Sequence, residues 1–152
     1  MKRVLIVDDE QPIVAGLSLL IKRYFSEDYT VVGSASSGRE AIEKARELSP
    51  DILLMDVQMP GISGLEAIKT IVSFGGPKAF ILITAYERFD IAREALSLGV
   101  CDYILKPVSR DRLETALRTA SQYLERGREL DKLRLEITEQ DHQLAPLIKD
   151  AF

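Results

Sequence analysis

The chain has 152 residues, enough for one ordinary domain with an appendage but too few for two domains. Hydrophobic residues make up 46% of it and charged residues 29%, a composition typical of a globular protein. A net charge of -4 lacks the basic excess needed to neutralise a nucleic-acid backbone, so we expect no direct contact with nucleic acid. One cysteine excludes an intrachain disulfide, and the sequence has neither a signal-peptide layout nor an apolar run of membrane-spanning length, which predicts a cytoplasmic protein without membrane contact.

Short apolar runs alternate with helical patterns along the chain. The runs predict five strands, at residues 4–7, 30–32, 52–55, 80–83 and 103–105. Their nearly continuous apolarity is typical of a sheet that is covered on both faces. A first helix is predicted from Pro12 and from one apolar stripe, formed by Ile13, Leu17, Leu20, Ile21 and Tyr24.

Start and stop signals place the other helices. Ser37 with Glu40, and Ser63 with Glu66, have the spacing of a capping box, so the second and third helices are predicted to begin near residues 38 and 64. Pro50 and the Gly-Gly-Pro at residues 75–77 end these two helices. The fourth helix is expected from about Arg88 to a left-handed cap at Gly99, and the fifth begins after Ser109.

Five repeats of strand and helix predict an α/β fold, because successive parallel strands need right-handed helical crossovers. Five strands favour the flavodoxin-like, doubly wound order 2-1-3-4-5, with five helices of which the last is extended. In such sheets ligands bind outside the carboxyl ends of the strands where the strand order reverses. Here that place lies beside the first and third strands.

Chemically useful side chains follow four of the predicted strands. Asp8 and Asp9 follow the first strand, Asp56 the third, Thr84 the fourth and Lys106 the fifth. Carboxylates brought together at one edge repel each other unless a cation compensates, and an oxygen-only site suits a hard ion such as Mg²⁺. An aspartate can attack phosphorus when the phosphoryl oxygens are neutralised, which Lys106 would help to do.

Two further side chains could respond to a phosphoryl group at this edge. The Thr84 hydroxyl could donate a hydrogen bond to a phosphoryl oxygen and draw its loop inward. Tyr103, three residues before Lys106, could then move into the space that Thr84 vacates. Taken singly, each of these residues is more often a cap, a solvated charge or a core residue; their joint placement at one edge favours function.

Four motifs carry a resemblance to a known family, the receiver domain of bacterial two-component response regulators. The motifs are Val-Asp-Asp-Glu at 7–10, Met-Asp-Val-Gln-Met-Pro-Gly-Ile-Ser-Gly-Leu-Glu at 55–66, Ile-Thr-Ala-Tyr at 83–86 and Asp-Tyr-Ile-Leu-Lys-Pro-Val at 102–108. The resemblance covers about residues 2 to 125. It implies that a sensor histidine kinase is the partner that donates the phosphoryl group.

The resemblance also implies a role for each site residue. Asp56 would be the phosphoacceptor, and Mg²⁺ would be bound by Asp8 or Asp9, by Asp56 and by the backbone carbonyl of Gln58. Thr84 and Tyr103 would be the switch residues, and a cis peptide would join Lys106 to Pro107. Phosphorylation would then alter an output or dimerisation surface on the fourth helix, fifth strand and fifth helix.

The C-terminal region has the pattern of a long helix. We expect a receiver domain over residues 1–125 and a helical linker or coiled-coil extension over residues 126–152, in which Pro146 ends or kinks the helix. Apolar spacing there continues in a shifted phase around Gly127, at Leu130, Leu133, Ile137, Leu144 and Leu147. A homodimer through this helix and a solvated linker helix are both consistent with the pattern.

A finer resemblance concerns residues 86–100 and 144–152. They resemble the subgroup of response regulators whose receiver precedes an AraC-type DNA-binding domain, which would make this chain the truncated start of a longer transcription regulator. Three alternatives stay open from the sequence: an aspartate-dependent phosphatase, a receiver-like binding module that is not phosphorylated, and a flavin-binding module of the same fold.

Overall fold

The computed structural model describes residues 1–140, apart from the side chains of Phe89 and residues 138–140. Strands and helices alternate strictly, as the sequence predicts. The strands are β1 Lys2–Val7, β2 Tyr29–Ala35, β3 Ile52–Asp56, β4 Ala79–Thr84 and β5 Asp102–Leu105. The helices are α1 Gln11–Tyr24, α2 Gly38–Leu48, α3 Gly64–Val72, α4 Phe89–Ser97 and α5 Arg110–Gln140.

All the strands pair in parallel, in the order β2-β1-β3-β4-β5. This is the flavodoxin-like, doubly wound order that the sequence predicts. The direction in which successive strands are added to the sheet reverses between β1 and β3. Every residue of β3 and β4 is buried, because both strands lie in the middle of the sheet with helices on each face. Their carboxyl ends carry Asp56 and Thr84.

Two hydrophobic layers hold the helices on the sheet. One lies between the sheet and α2, α3 and α4, and contains Leu5, Leu53 and Leu82 from the strands with Ala41 and Ile68 from the helices. The other lies between the opposite face and α1 and α5. Because side chains alternate along a strand, each buried strand contributes to both layers.

Serine caps begin α2 and α3 at the predicted positions. The Glu40 amide donates to Ser37 Oγ over 3.1 Å, and the Glu66 amide donates to Ser63 Oγ over 3.3 Å. The Glu40 side chain accepts from the hydroxyl of Ser36 at 3.0 Å and so does not complete the capping box with Ser37. The serine half of the motif is therefore sufficient to fix where α2 begins.

Two details of the fold differ from the sequence expectation. Tyr24 ends the predicted apolar stripe of α1, yet it is half exposed, and the guanidinium of Arg110 lies 4.8 Å from its ring centroid. β2 is longer than expected, and its register against β1 shifts between Val4 and Leu5, which leaves one extra residue in β2.

The last helix extends beyond the sheet that it covers. Its residues Leu113, Leu117, Ala120 and Leu124 are buried against the sheet, whereas Leu130, Leu133 and Leu135 are exposed. The helix continues through Gly127 without interruption, so the shift in the apolar pattern there is not a break in the helix. The predicted effect of Pro146 lies outside the described residues.

Within residues 1–140, no helix combines the length and apolarity that spanning a bilayer requires.

We predict that Gly64→Ala destabilises the protein by about 2 kcal/mol or more, whereas Gly16→Ala is neutral or stabilising by up to about 1 kcal/mol. A Cβ at position 64 would overlap the carbonyl oxygen of Asp56. A Cβ at position 16, which lies on the exposed side of α1, would meet nothing within 4 Å. Urea unfolding of both variants measures the two effects. Equal effects would contradict close packing of α3 on the end of β3.

Candidate functional site

The predicted site residues converge at the carboxyl edge of the sheet. Asp8 follows β1, Asp56 ends β3, Thr84 ends β4 and Lys106 follows β5. The Lys106 amide donates to the Thr84 carbonyl over 2.7 Å, which continues the β4–β5 pairing into the site. The Lys106–Pro107 peptide is cis, as the family resemblance implies.

Lys106 lies between two buried carboxylates. Its Nζ is 2.9 Å from Asp8 Oδ2 and 3.7 Å from Asp56 Oδ2. Asp8 is 2% exposed and Asp56 is 5% exposed, so both charges are largely removed from water. The other oxygen of Asp8 accepts from the Glu10 amide at 2.9 Å, which fixes the orientation of this carboxylate.

The electrostatics of this cluster are reflected in two perturbed pKa values. Burial, and after it the negative charge of Asp8, raise the pKa of Asp56 to about 7 against the opposing effect of Lys106. Burial by itself would lower the pKa of Lys106, but the hydrogen bond to Asp8 and the charge of Asp56 outweigh it and raise that pKa. The lysine is therefore charged at neutral pH, and Asp56 is poised between its two protonation states.

Asp9 brings a third carboxylate to the same place. One oxygen from each of Asp8, Asp9 and Asp56 lies within 4.8 Å of the others, and the side chain of Asp9 is exposed to solvent. All these donors are oxygens, which suits Mg²⁺. The one cysteine, Cys101, precedes β5 at the opposite edge of the sheet, where its amide donates to the carbonyl of Phe80. The donor set therefore fits the magnesium ion that the sequence predicts.

Thr84 and Tyr103 lie on the two sides of the β4–α4 connection. Thr84 is 2% exposed, and its hydroxyl oxygen accepts from the Tyr86 amide at 3.2 Å. The Tyr103 hydroxyl donates to the carbonyl oxygen of Tyr86 over 2.9 Å. Both side chains thus hold the same residue of the connection, and a change at one would affect the contact of the other.

The structure adds two features that the sequence reasoning did not assign. Glu10 Oε2 lies 3.8 Å from Lys106 Nζ, so a fourth acid borders the site; its place in the acidic run after β1 was the available signal. Arg112 makes two hydrogen bonds to the Asp102 carboxylate, of 2.8 and 2.7 Å, and one to the Tyr103 carbonyl. This pair ties α5 to β5 beside the tyrosine, and sequence spacing gave no sign of it.

We predict that Asp56→Asn stabilises the folded protein in a pH-dependent way when divalent metal is absent. Because the folded-state pKa of Asp56 is raised, its contribution to stability is fully present below about pH 4 and is lost as the pH rises through about 7. The gain in the free energy of unfolding should grow from near zero below pH 4 to about 4 kcal/mol at pH 8. Urea unfolding in a chelating buffer measures it, and a gain that did not change with pH would contradict the raised pKa.

Comparison with known proteins places this fold and site in one family. The family model described as the response regulator receiver domain matches residues 4–118. The transcriptional regulatory protein YdfI of Bacillus subtilis is 42% identical over 74% of this chain and 52% of its own length. The chemotaxis protein CheY of Thermotoga maritima is 39% identical over 79% of this chain and 98% of its own length. The chain thus spans about half of the first relative and nearly all of the second.

Solved structures agree with the sequence matches. The receiver domain of AraT, a response regulator from Geobacillus stearothermophilus, superposes with a TM-score of 0.75 at 35% identity, over 84% of this chain and 98% of that one. A CheX–CheY complex of Borrelia burgdorferi with BeF₃ and Mg²⁺ gives a TM-score of 0.70 at 27% identity, over 76% of this chain and 86% of that one. With its strand order, its carboxylate cluster and the family match over most of its length, this chain belongs to the response-regulator receiver domains of two-component systems.

Proposed function

We propose that Asp56 accepts a phosphoryl group from a phosphohistidine of a sensor histidine kinase, in a Mg²⁺-dependent reaction. The observation that carries this proposal is the Asp8–Lys106–Asp56 arrangement, in which a buried carboxylate has a lysine ammonium 3.7 Å away. The chain acts on itself and has no external substrate. A buried carboxylate without such a partner would be neutral at pH 7 and a poor nucleophile.

Each side chain has a distinct role in this reaction. Asp8, Asp9, Asp56 and the backbone carbonyl of Gln58 would hold Mg²⁺, which when bound neutralises carboxylate and phosphoryl oxygens together. Lys106 offers a fixed positive charge to a phosphoryl oxygen, because Asp8 already orients its ammonium at 2.9 Å. The Thr84 hydroxyl donates to another phosphoryl oxygen, and because its oxygen also accepts from the Tyr86 amide, Tyr86 is drawn along with it.

That movement of Thr84 makes the site a switch. Tyr103 lines an open groove of about 650 Å³ together with Arg88, Ala92, Leu105 and Arg112, on the face formed by α4, β5 and α5. When Tyr86 moves with Thr84, the tyrosine hydroxyl loses its acceptor and the ring turns inward, which reshapes the groove. Driving such a transition nearly to completion takes about 5.5 kcal/mol of differential binding, which a buried dianion with metal, lysine and hydroxyl contacts can supply.

The switched surface serves a larger cytoplasmic protein. We infer that residues 1–125 form the receiver and residues 126–152 a helical extension that leads to a DNA-binding domain, of the AraC type by the resemblance of residues 86–100 and 144–152. Several relatives of this receiver are transcriptional regulators. The altered α4–β5–α5 face would then control transcription by changing how the receiver associates.

Incubation with acetyl phosphate and Mg²⁺ should add about 80 Da, the mass of one phosphoryl group, to the chain. The gain should be absent without Mg²⁺ and absent in Asp56→Asn, because that variant lacks the proposed nucleophile and Asp8, the nearest carboxylate to Lys106, is already paired with it at 2.9 Å. Intact-mass spectrometry measures it. As a matched control, Asp131→Asn, on the exposed part of α5, should be labelled like the wild type. Labelling of Asp56→Asn would refute the assignment of the phosphoacceptor.

Thr84→Val should separate phosphorylation from switching. Valine keeps the shape of threonine but cannot donate a hydrogen bond, so phosphoryl mass should still appear while the conformational response falls by about tenfold or more. Amide hydrogen exchange in residues 85–97, with and without the phosphoryl group, measures the response. Wild-type changes in exchange in the valine variant would show that the hydroxyl does not couple the site to α4.

A further inference from the structure

The exposed part of α5 carries two different faces. Up to Leu124, the helix buries one stripe against the sheet. The positions that continue this stripe beyond the sheet are Gly127, Asp131 and Arg134, which are small or charged. Leu130, Leu133 and Ile137 lie roughly a third to a half of a turn around the helix axis from the buried stripe, whereas Leu135 lies close to its continuation.

The apolar residues outside the buried stripe have a regular spacing. Tyr123, Leu130 and Ile137 are seven residues apart, and Leu133 lies between the last two at the position of the other apolar site in a heptad. We call these four residues the seam. Leu130 is 56% exposed and Leu133 is 53% exposed, so about half of each of these two side chains faces solvent. The same spacing continues in the sequence at Leu144 and Leu147, outside those residues.

We propose that the seam pairs with the seam of a second copy of this chain, as a parallel, in-register coiled coil. A heptad seam is complementary to itself, because each apolar residue fits between four residues of an identical helix. The residue between Tyr123 and Leu130 at the seam is Arg126, whose long stem can lie along the interface while its charge stays in water. The association needs no phosphoryl group and therefore does not rest on the function proposed above.

Charge beside the seam selects the parallel orientation. With Tyr123, Leu130 and Ile137 at heptad position a, Glu129 falls at position g and Arg134 at position e. In a parallel pair these two positions face each other across the interface, which sets an acid beside a base twice, once on each side. In an antiparallel pair like positions meet, and Glu129 would face a second glutamate position while Arg134 faced another arginine. For Glu129 and Arg134, only the parallel pair is complementary.

The test compares the full chain with two leucine variants, in the absence of a phosphoryl donor. Leu133→Glu places a charge in the seam, whereas Leu135→Glu places the same charge on the opposite side of the helix, where the leucine is 65% exposed. Sedimentation velocity should show a wild-type dimer whose dissociation constant rises at least about tenfold in Leu133→Glu and stays within about twofold in Leu135→Glu. Circular dichroism and acetyl-phosphate labelling show whether each variant keeps a folded receiver.

A cross-linking experiment tests the orientation. In a Cys101→Ser background, Arg126→Cys should form an intermolecular disulfide on mild oxidation, because residue 126 faces its own copy only in a parallel, in-register pair. Arg128→Cys, which lies on the outer side of the helix, should not. If the wild-type chain were a monomer at about 0.1 mM, or if Leu133→Glu and Leu135→Glu weakened the dimer equally, pairing through the seam would be refuted. A dimer whose position 126 did not cross-link would overturn the parallel arrangement. Failure of Asp56 labelling would leave this test unaffected.

Discussion

The contact of Lys106 with Asp8 and Asp56 is the interaction on which the rest of this site depends. Three carboxylates and one ammonium give the cluster an excess of negative charge, and two of the carboxylates are almost fully buried. Such an excess is tolerated only when a proton or a cation is shared among the acids. The raised pKa of Asp56, about 7, means that this carboxyl group binds a proton near neutral pH and so reduces the negative charge of the cluster. A divalent ion would replace that proton and leave Asp56 ionised, which is the form that can attack phosphorus.

Much of this arrangement could be predicted from the sequence, because parallel strands bring their carboxyl ends to one edge whatever lies between them. Once the apolar runs had located β1, β3, β4 and β5, the residues that follow them had to meet. The strand order, the serine caps at Ser37 and Ser63, and the long α5 are confirmed by the structure. The receiver family, predicted from four motifs, is confirmed by the match over residues 4–118.

What sequence reasoning could not give depends on contacts between residues far apart in the chain. It did not distinguish the roles of Asp8 and Asp9, of which Asp8 is the one buried against Lys106, far later in the chain. The half-exposed Tyr24 fits a helical apolar stripe, but its ring meets Arg110 at the start of α5. The extra residue in β2 likewise follows from pairing with β1. Local periodicity contains none of this information.

One helix connects the two surfaces that this chain offers. The first turns of α5 are fixed to β5 by Arg112 and Asp102, next to Tyr103, and its far end carries the seam. The first seam residue, Tyr123, also lies close to α4, since its hydroxyl is 3.9 Å from where a Cβ on Gly99 would be. Tyr123 therefore lies beside the backbone that follows α4, which a displacement of that helix would move. Under the function proposed above, α5 would be the element through which phosphorylation of Asp56 and the exposed end of this helix influence each other.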